Sequence, residues 1–128
     1  MGQKRRGERG QALVEAALII PLLMLIAMGA VDFGRLYYSY TTIANAAREG
    51  AMCASLGGIC PAGAAGAATA EVNGTLPGGV TTTVSPSGTL SAGSTVTVTV
   101  HYNFQPITTV VVGTATLPLS ASASMVVQ

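Results

Sequence analysis

The stretch GQALVEAALIIPLLMLIAMGAVDFGR, residues 10–35, decides how this chain must fold. Residues 16–31 carry no charge, residues 12–14 are apolar as well, and Glu15 is the one interruption between them. As a helix, residues 12–31 rise about 30 Å at about 1.5 Å per residue, which matches the hydrocarbon thickness of a bilayer. Working outward toward the N-terminus, Lys4, Arg5, Arg6 and Arg9 against Glu8 give the first ten residues a charge of +3. The two basic and four acidic residues of the remainder leave −2, for a net +1. Basic residues thus flank only the N-terminal side of the run within the distance that matters. The positive-inside rule then places the N-terminus in the cytoplasm and the rest of the chain outside. The composition agrees with a membrane element, since 49% of residues are hydrophobic and only 9% charged, far below the roughly 25% charged fraction of a soluble domain. A basic nucleic-acid-binding fold is a poor reading of such a chain.

At 128 residues there is room for one folded unit beside the span. Residues 1–10, polar, basic and without periodicity, read as a short disordered leader; residues 11–35 read as the transmembrane helix, and residues 36–128 as the extracytoplasmic domain. Past the span, Leu36, Tyr40, Ile43, Ala47 and Ala51 recur at spacings of four, three, four and four, so an amphipathic helix continues out of the membrane. Its stripe is rich in alanine and lets a neighbour approach closely. Gly57 and Gly58 are suited to end it. Residues 61–79 are dominated by Ala, Gly and Thr, and form a short helix over residues 64–72 or a loop. Three stretches then alternate with period two: Val80, Thr82 and Val84; Val96, Val98, Val100, Tyr102 and Phe104; Leu117, Leu119, Ala121, Ala123, Met125 and Val127. The expected fold is α+β, a long N-terminal helix packed on a small antiparallel sheet of about three strands whose apolar face the helix covers.

The motif from Gly10 through Glu15, followed by the apolar run, resembles the processing site of type IV prepilins. The longer string of residues 10–35, with its GQALVE start, its proline and its DFGR end, is similar to the start of TadE-like proteins, pilin-like minor components of the tight-adherence pilus system. The resemblance implies cleavage after Gly10 by prepilin peptidase, which makes Gln11 the mature N-terminus and Glu15 the fifth mature residue. Many pilins carry phenylalanine where this chain has Gln11. It implies that Glu15 pairs with the freed amine on Gln11 of a neighbouring subunit. The implied partners are membrane lipid, the peptidase, other pilin-like subunits and the pilus assembly platform, with no cofactor, no nucleic acid and no enzymatic activity; the location is the cytoplasmic membrane or a surface pilus. Two other readings stay open. One is an uncleaved single-pass protein whose outer domain docks an envelope complex. The other is a secreted domain released by an ordinary signal peptidase near Ala27, Gly29 and Ala30.

Several residues can be read without the family. An ionised carboxylate near hydrocarbon is costly and marks a partner unless it sits in the headgroup zone, which bears on Glu15. Pro21 removes one backbone hydrogen bond and kinks a membrane helix. Asp32 and Arg35, three apart, are placed to pair across a turn, and Tyr37, Tyr38 and Tyr40 to anchor at the interface. Cys53 and Cys60 are separated by six residues that include Leu56, Gly57, Gly58 and Ile59, and in an oxidising compartment they are expected to form a disulfide. So short a loop stabilises by no more than about 2–3 kcal/mol. His101 is the only histidine and lies on the polar face of a strand, so a tetrahedral metal site has too few ligands. No paired carboxylates outside the helix, no histidine beside a nucleophile and no phosphate-binding loop point to catalysis.

Overall fold

The computed structural model describes residues 4–57, 60–113 and 115–128. One helix, α1 (Lys4–Ser55), provides both the apolar N-terminal segment and the backbone of the core; α2 (Gly63–Val72) follows, then β1 (Thr81–Ser85), β2 (Thr95–Phe104), the short α3 (Thr109–Val112) and β3 (Leu117–Val126). The strands form one antiparallel sheet in the order β1-β2-β3. The expected fold class is the one found.

The sheet follows from the alternation. Successive side chains of a strand point to opposite faces, so β2 buries Val96, Val98, Val100, Tyr102 and Phe104 while Thr95, His101 and Asn103 stay exposed. The register sets Val100 between Thr82 of β1 and Ala121 of β3, and Val98 between Val84 and Ala123. Every buried position thus has a neighbour on the same face. Val96, Val98 and Val100 are wholly buried, and each such valine contributes roughly 1.5–3 kcal/mol. The opposite face is laced by hydroxyls, with Thr97 Oγ1 2.8 Å from Ser124 Oγ and Thr83 Oγ1 donating to the Thr99 carbonyl at 3.4 Å.

Both helices cover the apolar face. Along α1 the buried positions are Asp32, Ser39, Ile43, Ala46, Ala47, Gly50, Ala51, Cys53, Ala54 and Ser55, with Leu36 half-buried. Tyr40, read from the sequence as part of this stripe, is exposed, and Ser39 holds the place between Leu36 and Ile43. A serine lets the helix settle closely on the sheet, whereas a buried tyrosine would need a partner for its hydroxyl. Ile43, Ala46, Ala47, Ala68 and Val72 of the two helices join Val100, Tyr102, Phe104 and Ala121 of the sheet in the main core; Ala54, Val96 and Val127 form a second cluster at the far end. These contacts fix the direction of β2, which starts beside the C-terminal end of α1 and returns toward the apolar segment.

Two expectations change or sharpen. The leader is not irregular where it is described, because α1 already begins at Lys4; with no proline in it, extending an existing helix backward costs little compared with nucleating one. Residues 1–3 lie outside the described residues. The alanine-rich middle forms the helical alternative, α2, and Leu76 just after it is buried. Gly57, at φ +62°, ends α1 as expected, with its amide donating to the Ala54 carbonyl at 3.4 Å. Gly58, named with it, lies outside the described residues.

Candidate functional site

The site residues expected from the sequence divide between the two ends of α1. Gly10, Gln11, Glu15 and Pro21 all lie on its N-terminal half and are exposed. Gln11 and Glu15, four apart, share one helix face. The large side chains around them, Leu13, Leu18, Ile19, Ile20, Leu22, Leu23, Met24, Leu25 and Ile26, project the same way into open space. By length and composition this is a helix able to cross a membrane, and none of its apolar window is buried within the protein. Pro21 interrupts the hydrogen-bond ladder by one donor and the helix continues through it.

The opposite end of α1 carries the disulfide. Cys53 and Cys60 are bonded with Cα atoms 5.5 Å apart, and neither cysteine is free. Gly58 and Ile59 of the intervening loop lie outside the described residues. The bridge holds the connection to α2 against the helix end, where the Gln128 amide also donates to the Ser55 carbonyl at 3.1 Å. Thiol labelling of denatured, unreduced protein taken from an oxidising compartment is expected to find no free cysteine; labelling of both would contradict the bond.

Between the two ends, at the point where the apolar run stops, the structure builds a contact that the sequence did not disclose. Asp32 is 7% exposed. One carboxylate oxygen accepts the Ile107 amide at 2.7 Å, the other accepts the Thr108 amide at 2.8 Å, and Arg35 Nη1 donates to the first at 3.2 Å. The Arg35 guanidinium in turn lies 5.4 Å from the centre of the Phe104 ring, within reach of a cation–π attraction. The expected Asp32–Arg35 pair is therefore present, but its larger role is to hold the loop after β2. A separation of 75 residues along the chain leaves no periodic trace of such a bond. The only available signals were a charge at the end of the apolar run and the proline at 106 that opens a turn.

The remaining residues singled out lie apart from this contact. Tyr37, Tyr38 and Tyr40 are exposed just beyond it, and His101 is exposed on β2. Among the described residues no group of three or more His, Cys, Asp or Glu side chains is placed to hold a metal ion. Glu15 and the 21-residue step from Gly10 to Val31, about 32 Å of helix rise, thus form a free rod, while residues beyond 35 form the domain it carries.

No curated protein and no solved structure matches the chain. One family model does, and it matches the helix that carries these features: residues 10–52, from the glycine before the apolar run to the alanine- and glycine-lined stretch packed on the sheet, match the family described as TadE-like protein.

Proposed function

We propose that the chain is a pilin-like structural subunit of a tight-adherence or related type IV pilus system. It is inserted with its N-terminus inside, cut after Gly10 by prepilin peptidase, and assembled with other pilin-like subunits on the pilus platform. One observation carries this reading. Among the described residues none buries the apolar window of this helix, although its continuation from Leu36 onward is sheathed by the sheet and α2. Each of its leucines and isoleucines left in water forgoes roughly 1.5–3 kcal/mol of burial. The rod therefore belongs in lipid or against the equivalent rods of other subunits. Small residues at Ala16, Ala17, Ala27, Gly29 and Ala30 would let such helices approach closely once packed. Pro21 weakens the ladder at one point, which supports local bending on leaving the membrane. The carried domain, uncharged from residue 72 to the end apart from His101, is the part that faces outward.

The secreted-domain alternative would cut next to Ala30. That would leave Asp32, which holds the Ile107 and Thr108 amides, on a frayed chain end. The uncleaved single-pass alternative keeps this contact and differs only at the N-terminus. Intact mass of the protein recovered from cells that contain a prepilin peptidase separates the three. The expected result is loss of residues 1–10 and a chain starting at Gln11. Retention of Met1 in the functional complex would favour the anchored module, and a start near Ala30 or Val31 the secreted domain.

A further inference from the structure

The loop between β2 and β3 leaves its apolar side chains uncovered in an unusual place. Ile107, Val110 and Val111 are 43%, 86% and 61% exposed, and residues 105–113 carry no charge. Six of their amides are nevertheless satisfied. The Ile107 and Thr108 amides go to the Asp32 carboxylate, and those of Thr109, Val110 and Val111 go to the carbonyls of Pro106, Ile107 and Thr108 at 3.4, 3.1 and 2.9 Å. Thr109 also donates its hydroxyl to the Pro106 carbonyl at 2.7 Å, and the Gly113 amide closes the turn on the Thr109 carbonyl at 2.9 Å. Amides already bonded within the protein lower the cost of moving such a turn out of water, because an apolar medium offers them no other partner.

Asp32 sets the level of this loop. It is the first charged residue after the apolar run, and its carboxylate binds the loop backbone directly. Phe33, 72% exposed, stands beside it, and Tyr37 and Tyr38 project one turn further on. β2 arrives at the same end of the domain, since Phe104 meets Arg35 there while Val96 meets Ala54 at the far end. We infer that the α3 turn is a second membrane contact, in which Ile107, Val110 and Val111 enter the headgroup and acyl-chain boundary beside the end of the span. Continuity with the span favours lipid over another protein as the occupant. The turn is held at the height where residues 12–31 leave the hydrocarbon, and burying residues 107–111 there desolvates no charged side chain of their own and none of their five amides, which are already bonded. Asp32 then acts as a clasp that keeps the loop at the interface and the domain at a fixed height above it. The inference rests on the reading of residues 12–31 as a bilayer span.

The chain contains no tryptophan, so single-tryptophan variants report depth without background. Full-length V110W, F33W and T89W are reconstituted into phosphatidylcholine and phosphatidylglycerol vesicles whose acyl chains are brominated near the headgroup or near the terminal methyl. V110W is expected to show blue-shifted emission, quenched by the shallow bromines to an extent comparable with F33W and more strongly than by the deep ones, with T89W unaffected. Quenching of F33W without quenching of V110W overturns the inference and leaves the span intact. If neither is quenched, the span reading fails and the inference falls with it. Equal quenching of T89W, or a blue shift of V110W that depends on protein density and not on bromine, also overturns it; the second result would assign the patch to another copy of the chain.

Discussion

Replacing Gly50 with valine is expected to lower the stability of the domain by about 3 kcal/mol, the upper part of the range for forcing extra atoms into a packed core. Gly50 lies where α1 passes both α2 and the sheet. A Cβ built there would stand 2.8 Å from the Ala64 carbonyl oxygen, 3.0 Å from Val98 Cγ1 and 3.1 Å from Ala68 Cβ. The nearest atom belongs to backbone, so relief requires α2 to move as a body. Helix propensity argues the other way, because exchanging glycine for alanine in a helix interior gains up to about 1 kcal/mol. The two effects can be separated at Gly34, where an added Cβ meets nothing within 4 Å. Gly34→Ala should leave the melting temperature unchanged or slightly raised. Gly50→Ala should lower it despite the better propensity, and Gly50→Val should lower it by about 10 °C or more at the 4–8 °C per kcal/mol typical of domains this size. Thermal unfolding of the full chain in detergent, followed by circular dichroism, reads all three. Equal melting of Gly50→Val and the parent would show that the helices do not meet this closely.

Glu15→Gln is expected to leave insertion and peptidase cleavage intact while reducing incorporation into filaments, or into the complex that initiates them, by at least about tenfold. The substitution keeps the volume and removes the charge. In the proposed assembly the freed amine on Gln11 of one subunit meets the Glu15 carboxylate of another between apolar helices. Removing one member of a buried ion pair leaves the other charge uncompensated at a cost of about 3–5 kcal/mol, and each 1.4 kcal/mol is a factor of ten. Within the single chain Glu15 is exposed and has no ion-pair partner among the described residues, so the effect should appear only on assembly. Counting cleaved monomer against assembled protein distinguishes the steps. A variant that is both cut and assembled at parental levels would reduce Glu15 to a headgroup-zone residue and end its intersubunit role.

What the sequence disclosed follows from which interactions are periodic. The strands were legible because Val96 to Phe104 alternate so regularly that only one face can be buried. The continuation of α1 was legible from Leu36, Ile43, Ala47 and Ala51. Between them, Tyr40 was misplaced because its neighbour Ser39 lies almost equally near the stripe, and the choice is made by how closely the sheet approaches, which no spacing records. The middle of the chain could have been helix or loop, since alanine favours helix while the glycines of α2 oppose it; contact with α1 decides for helix. The disulfide was within reach of a short-loop argument. The Asp32 clasp was not, because its partners are main-chain amides, and an amide has no residue type to recognise.

Since β2 and β3 lie lengthwise along the same helix that forms the free rod, the protein has a definite response to mechanical force. A pull on the apolar half along its axis does not reach the domain through a hinge or a linker. It arrives as shear along the helix–sheet contact, from Phe104 beside Arg35 to Val96 beside Ala54. Shear loads many side-chain contacts together, whereas a perpendicular pull would peel them one by one. The first bonds strained would be those of Asp32 to the Ile107 and Thr108 amides, at the near end of the load path. The last would be the Cys53–Cys60 bridge and the Gln128–Ser55 hydrogen bond at the far end. A subunit drawn lengthwise out of a bilayer would thus be loaded in the direction that its packing resists best.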